Sequence, residues 1–74
     1  MAMSEDVKKE CLRIGINILI CRRRLKMQQE ELSKLSGVSR SNISLMERGA
    51  SNFKLKSLIQ IADAMNVDYR VLLR

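Results

Sequence analysis

One glycine constrains this chain more than any other residue. From Leu32 to Gly49, LSKLSGVSRSNISLMERG, apolar residues recur at helical spacing, stop at Gly37, and resume after Ser39. A glycine inside a helix costs about 1 kcal/mol relative to alanine. Just past a last helical turn, it supplies the left-handed conformation that a tight exit needs. Ser39 is a good cap for a new helix start. The spacing therefore predicts a helix that ends at Ser36, a three-residue turn, and a second helix from Arg40 to Arg48 that stops at Gly49.

The rest of the chain is also helical in period, with no proline, repeat or low-complexity linker. Val7, Cys11, Ile14, Ile18, Cys21 and Leu25 recur at steps of four and three, one apolar stripe on a long first helix. Ser4 is its expected cap, with Glu5 and Asp6 in the first turn; the cations of CRRRLK suit its negative end. A second helix spans about Gln29 to Ser36. After a GASNF loop, a fourth runs from about Lys54 to Met65, with Leu55, Leu58, Ile61, Ala62 and Met65 apolar. Asn66 can end it in the left-handed region, and Asp68 caps a last helix, Tyr69 to Leu73. Residues 1–74 read as one all-α domain, with 1–5 expected to be frayed or disordered. Gly37 then separates helices two and three in the layout of a helix-turn-helix.

Composition narrows the function classes. The chain has 74 residues, a net charge of +6, a pI near 9.9 and no histidine. The positive excess favours an anionic partner. Cys11 and Cys21, on one helix, would be separated by about 15 Å of rise, against the roughly 7 Å a disulfide allows. Reduced, packed cysteines fit a cytoplasmic protein. The apolar run Ile14–Cys21 is too short to cross a bilayer, and the acidic amino end is unlike a secretory signal. With Phe53 and Tyr69 the only aromatics, a base-stacking platform for single strands is not expected. There is no histidine base, metal-ligand cluster or glycine-rich phosphate loop. We expect no catalysis, metal, cofactor, membrane or small-molecule ligand.

On a wheel of 100° per residue, Ile43 and Met46 fall on one side of the third helix. Arg40, Ser41, Ser44 and Arg48 fall on the other. The hydroxyl side chains keep that face slim enough to approach base edges, and arginine can reach guanine O6 and N7 with two hydrogen bonds. The wheel alone equally allows a solvated polar face. Glu47 lies at the border of the apolar side, and Arg22 follows the stripe of the first helix. A charge at such a border needs a partner, so Arg22 is expected to pair with Glu47.

At this point the residues resemble a known family. Arg22, QEEL at Gln29–Leu32, SGVSRSNIS at Ser36–Ser44, ERG at Glu47–Gly49 and LKSLIQIADAMNV at Leu55–Val67 are similar to the Xre/Cro-type helix-turn-helix domain of the lambda-repressor-like fold. The likeness covers about Ile14 to Leu73. It implies a compact five-helix domain with its helix-turn-helix at helices two and three, binding double-stranded DNA as a homodimer. By that resemblance Arg40, Ser41 and Ser44 match base-reading positions, and Asn42 a position of variable role, base or backbone. Gln29 matches a phosphate contact, Arg48 and Asn52 match positions near the phosphates, and the Arg22–Glu47 pair matches a frequent salt bridge.

Three departures stand out. Gln28 and Lys54 sit where the family usually has a capping Ser or Thr, and Phe53 replaces a common proline. Leu12, Ile16, Leu19 and Ile20 cluster on the face of the first helix opposite its core stripe, where the family is mostly polar. An apolar patch on a small chain suggests a contact surface, and Tyr69, Val71 and Leu73 could extend it at the last helix. The expected function is sequence-specific regulation of transcription from an inverted-repeat operator. A free-standing domain of this size is similar to the controller proteins of restriction–modification systems. Antitoxins and phage-type repressors share the scaffold, and a protein-interaction module reusing the fold is the alternative from another class.

Overall fold

The computed structural model describes residues 4–50 and 54–74. These form four α-helices, α1 (Glu5–Arg24), α2 (Gln29–Ser36), α3 (Arg40–Glu47) and α4 (Leu55–Ala64), followed by a 3-10 helix at Tyr69–Leu73. No strand occurs among the described residues. The fifth element is thus a 3-10 turn rather than the fifth α-helix of the expectation. It is only five residues long and begins at an Asp68 cap, a length at which the tighter i,i+3 pattern competes well. The other helix ends fall within a residue or so of the periodic pattern.

Local punctuation explains where each element starts and stops. Ser4 and Ser39 hold β-region dihedrals, and their hydroxyls accept from the N–H groups of Val7 and Asn42 at 3.2 and 3.1 Å. Residues 4 and 5 are therefore the cap and first residue of α1; 1–3 lie outside the described residues. Gly37 takes φ +78°, and its N–H donates to the Ser33 carbonyl. The Ser36 hydroxyl accepts from Val38 N–H at 3.1 Å, which finishes the turn. Asn66 ends α4 at φ +58°. Lys26 also adopts a left-handed φ, +55°, in the connection from α1 to α2. Gln28 and Lys54 give their helices no side-chain cap.

The core collects one or more side chains from every element: Ile18, Leu32, Val38, Ile43, Met46, Leu58, Ile61, Ala62, Met65 and Leu72. Ile14 and Cys21 pack against it; burial pushes the Cys21 thiol pKa up, and nearby Arg24 pulls it the other way. The ends of the expected α1 stripe do not join. Val7 is 38% exposed and Leu25 48%. A 20-residue helix is about 30 Å long, longer than a core this small can cover, and residues 4–10 are exposed throughout.

Two features seat the outer elements on α1. Gly15 is buried where α3 crosses. A Cβ there would stand 2.2 Å from the Met46 carbonyl oxygen and 2.9 Å from that of Glu47. The 3-10 helix is held by polar side chains of α1. Arg13 Nη1 donates to the Leu73 carbonyl at 2.6 Å, and Asn17 Nδ2 donates to the carbonyls of Leu72 and Arg74, both at 2.9 Å.

Candidate nucleic-acid interface

The third helix carries two faces with different chemistry. Ile43, Met46 and Glu47 are buried. Arg40, Ser41, Asn42 and Arg48 are exposed and Ser44 is half-buried. Among the described residues, no hydrogen bond or ion pair engages the Arg40 guanidinium, nor the Ser41 hydroxyl or the Asn42 side-chain amide. Arg48 Nε folds back toward the Ser44 carbonyl at 3.3 Å. A shallow groove of about 370 Å³ follows this face, lined by Gln29, Arg40, Ser41, Ser44, Leu45 and Arg48.

The buried side is fixed by charge as well as by packing. Arg22 Nε donates to Glu47 Oε2 at 2.6 Å, and Arg22 Nη2 donates to Glu47 Oε1 at 3.0 Å. Both residues are buried, at 8% and 7% exposure. The third guanidinium nitrogen, Nη1, donates to the Met27 carbonyl at 2.8 Å. Gln29 Nε2 adds a further bond to Glu47 Oε1 at 2.8 Å. One carboxylate thus gathers the end of α1, the start of α2 and the end of α3. Among the described residues, no buried side-chain nitrogen or oxygen is left without a partner. Such completeness is what a buried ion pair needs to be tolerated.

Beside this knot lies a second cleft, polar and about 670 Å³ in volume, between the α1–α2 connection and α3. Arg23, Lys26, Gln28, Gln29 and Arg40 line it, with Glu30 opposing their charge. Because Gln28 supplies no cap, the first N–H groups of α2 have no side-chain acceptor there.

A family profile described as helix-turn-helix matches residues 18–72. The chain belongs to the Xre-like helix-turn-helix family. In this helix-turn-helix chain α2 and α3 are the two helices of the motif. Two solved structures are similar. The restriction-modification controller protein C.AhdI from Aeromonas hydrophila is 30% identical, with a TM-score of 0.84, over 86% of this chain and 97% of that one. The hypothetical transcription factor NHTF from Neisseria is 27% identical, with a TM-score of 0.84, over 100% of this chain and 85% of that one. Comparison with curated proteins gives no match.

Asn52 lies outside the described residues. Ile16 and Ile20 are 43% and 42% exposed on α1, with Leu12 at 48% beside them. Val71 is exposed, whereas Tyr69 and Leu73 are half-buried and pack on the core. Three functional details were not anticipated: the Gln29–Glu47 bond, the Arg13 and Asn17 ties, and the close approach at Gly15. A helix-interior glycine and a polar i,i+4 pair inside an apolar run were the available signals for the last two.

Proposed function

We propose that this chain is a sequence-specific double-stranded-DNA-binding regulator of transcription, acting as a homodimer on an inverted-repeat operator. The observation that carries the reading is the free outward face of α3: the side chains of Arg40, Ser41 and Asn42 are exposed, without hydrogen-bond partners among the described residues, on a helix whose other face is locked into the core. A helix so presented can enter the major groove. Arg40, Ser41, Asn42 and Ser44 are its base-reading set. Arg48 and Asn52 flank the phosphates. Gln29 donates one Nε2 N–H to Glu47 and keeps the other for a phosphate; the backbone N–H groups at the start of α2 add to that contact. Lysines and arginines release counterions and give a steep salt dependence.

The exposed row Leu12, Ile16 and Ile20, with Val71 and the outer edges of Tyr69 and Leu73, is the dimer surface in this reading. Two recognition helices then stand about 34 Å apart, one turn of DNA. The likeness to C.AhdI favours a controller role in a restriction–modification system. The reading places the protein in the cytoplasm; no described helix is long and apolar enough to cross a membrane. The same apolar row favours one second reading, a protein-interaction module on this fold. Selection of bound duplexes from a random library tests the proposal: an enriched inverted repeat is expected. Failure to shift random duplex even at low salt would overturn DNA binding and leave the interaction module.

A further inference from the structure

The dimer surface of the reading above comes from two ends of the chain. Leu12, Ile16 and Ile20 lie on α1; Tyr69, Val71 and Leu73 lie on the 3-10 helix. Leu72, 1% exposed, anchors that short helix in the core. One buried side chain fixes where the helix sits but not how its outer side is turned. A five-residue 3-10 helix has few bonds of its own, with poor geometry, and its last carbonyls lack partners within it. α1 supplies them. Asn17 Nδ2 donates to the carbonyls of Leu72 and Arg74, which uses both N–H groups of the amide. Arg13 Nη1 donates to the Leu73 carbonyl, while Glu10 accepts from its Nε at 2.9 Å. On α1, Arg13 and Asn17 precede Ile16 and Ile20 by three residues, so each stands beside one of them on the helix surface. The two ties therefore lie on the seam between the halves of the apolar surface.

We propose that Arg13 and Asn17 are positioning residues for self-association. They hold the 3-10 helix in register with the α1 row, so that a second copy of this chain meets one preformed surface. The inference rests on the homodimer reading above. The ties are exposed or partly buried, where a hydrogen bond adds little to folding. Association is more sensitive: a 3-10 helix out of register has to be ordered as the partner docks, and that cost is subtracted from affinity.

Sedimentation equilibrium over a concentration series reads the dimer Kd of the full chain, and thermal melting checks folding. Asn17→Asp keeps the side chain's size and turns two donors into acceptors that face carbonyl oxygens. Its dimer Kd is expected to rise about tenfold, the scale of one or two lost hydrogen bonds. Arg13→Ala should raise it about three- to tenfold, and Arg13→Lys, which keeps a donor, should return most of that loss. Ser39→Ala removes the cap of α3, a comparable loss of stability on another element, and should leave the dimer Kd unchanged. If Asn17→Asp does not melt cooperatively, Arg13→Ala decides. An unchanged Kd in the folded variants, or an equal rise in Ser39→Ala, would overturn the assignment. An unsubstituted protein that stays monomeric at every concentration would remove the homodimer reading and this inference with it, a result distinct from dimers indifferent to Arg13 and Asn17.

Discussion

Arg22 and Arg40 line the same cleft and have opposite surroundings. Arg22 is buried, with Nε, Nη1 and Nη2 all donating to protein acceptors. Arg40 is exposed and, among the described residues, donates to none. Guanidinium is a fork of five N–H donors that stays charged at any ordinary pH. What separates a structural arginine from a recognition arginine is therefore the state of its donors. A fork with every nitrogen engaged fixes the protein's own elements; an empty one retains its hydrogen-bonding capacity for a partner. α3 joins the two cases, because Glu47 at its end accepts from two nitrogens of Arg22 while Arg40 at its start stands free.

The largest expected effect comes from emptying the buried, engaged site. Arg22→Met should destabilise the fold by about 3–5 kcal/mol, because Glu47 is left buried without its counter-charge. Denaturant unfolding measures the loss. Arg22→Met combined with Glu47→Leu should recover a large part of it, since an apolar replacement of a whole buried pair is often tolerated. Unchanged stability in the single variant would mean that the knot among α1, α2 and α3 does not hold the motif.

Next in size is the seat of α3 on α1. Gly15→Ala places a methyl group 2.2 Å from the Met46 carbonyl oxygen. That oxygen belongs to helix backbone and cannot swing aside. The expected cost is about 1–3 kcal/mol, net of the roughly 1 kcal/mol that alanine gains over glycine in a helix. Thermal unfolding reads it directly. A stabilised variant would show that α3 can slide on α1, and that Arg22 alone does not fix its position.

Arg40→Ala should do the reverse of Arg22→Met. Stability should change by no more than about 0.5 kcal/mol, as for an exposed residue without protein contacts. Specific binding should weaken by about 1–3 kcal/mol, the worth of a bidentate base contact, with little change on random duplex. Competition binding on enriched and random duplexes separates the two. Equal loss on both would make Arg40 a phosphate contact and remove the contrast between the two arginines as a contrast of reading and holding.

The contrast also marks what was legible in the sequence. Helix starts and stops were, because Ser4, Gly37, Ser39, Asn66 and Asp68 act within a few residues of themselves. The outward placement of Arg40, Ser41 and Arg48 followed from the wheel in the same way. Distance in sequence hid the rest. Gln29 reaches Glu47 across 18 positions, and Arg13 reaches Leu73 across 60; periodicity gives a face, never the partner that covers it. It gives no limit of the core either, so Val7 and Leu25 looked buried.

Arg70 supplies the intermediate case, a fork that is engaged but fully in solvent. Its Nε and Nη2 donate to the Asp68 carboxylate, at 3.0 Å and 2.7 Å for the shortest contacts, and its backbone N–H donates to Asp68 Oδ1 at 2.9 Å. The side-chain bond from Arg70, then the backbone bond, lower the Asp68 pKa from 3.8 to about 2. A depressed carboxyl favours the folded state when ionised, so its contribution is complete above about pH 4 and is lost as pH falls toward 2. Because the pair is solvent-exposed, water and salt screen it and the effect on stability should be the smallest of the set. NMR titration of the Asp68 carboxyl should give a midpoint near 2, moving up toward the ordinary value in Arg70→Ala. A midpoint near 3.8 in the unsubstituted protein would show that an engaged fork in water holds nothing. The ordering of the three arginines would then rest on burial alone, with donor saturation contributing only where solvent is excluded.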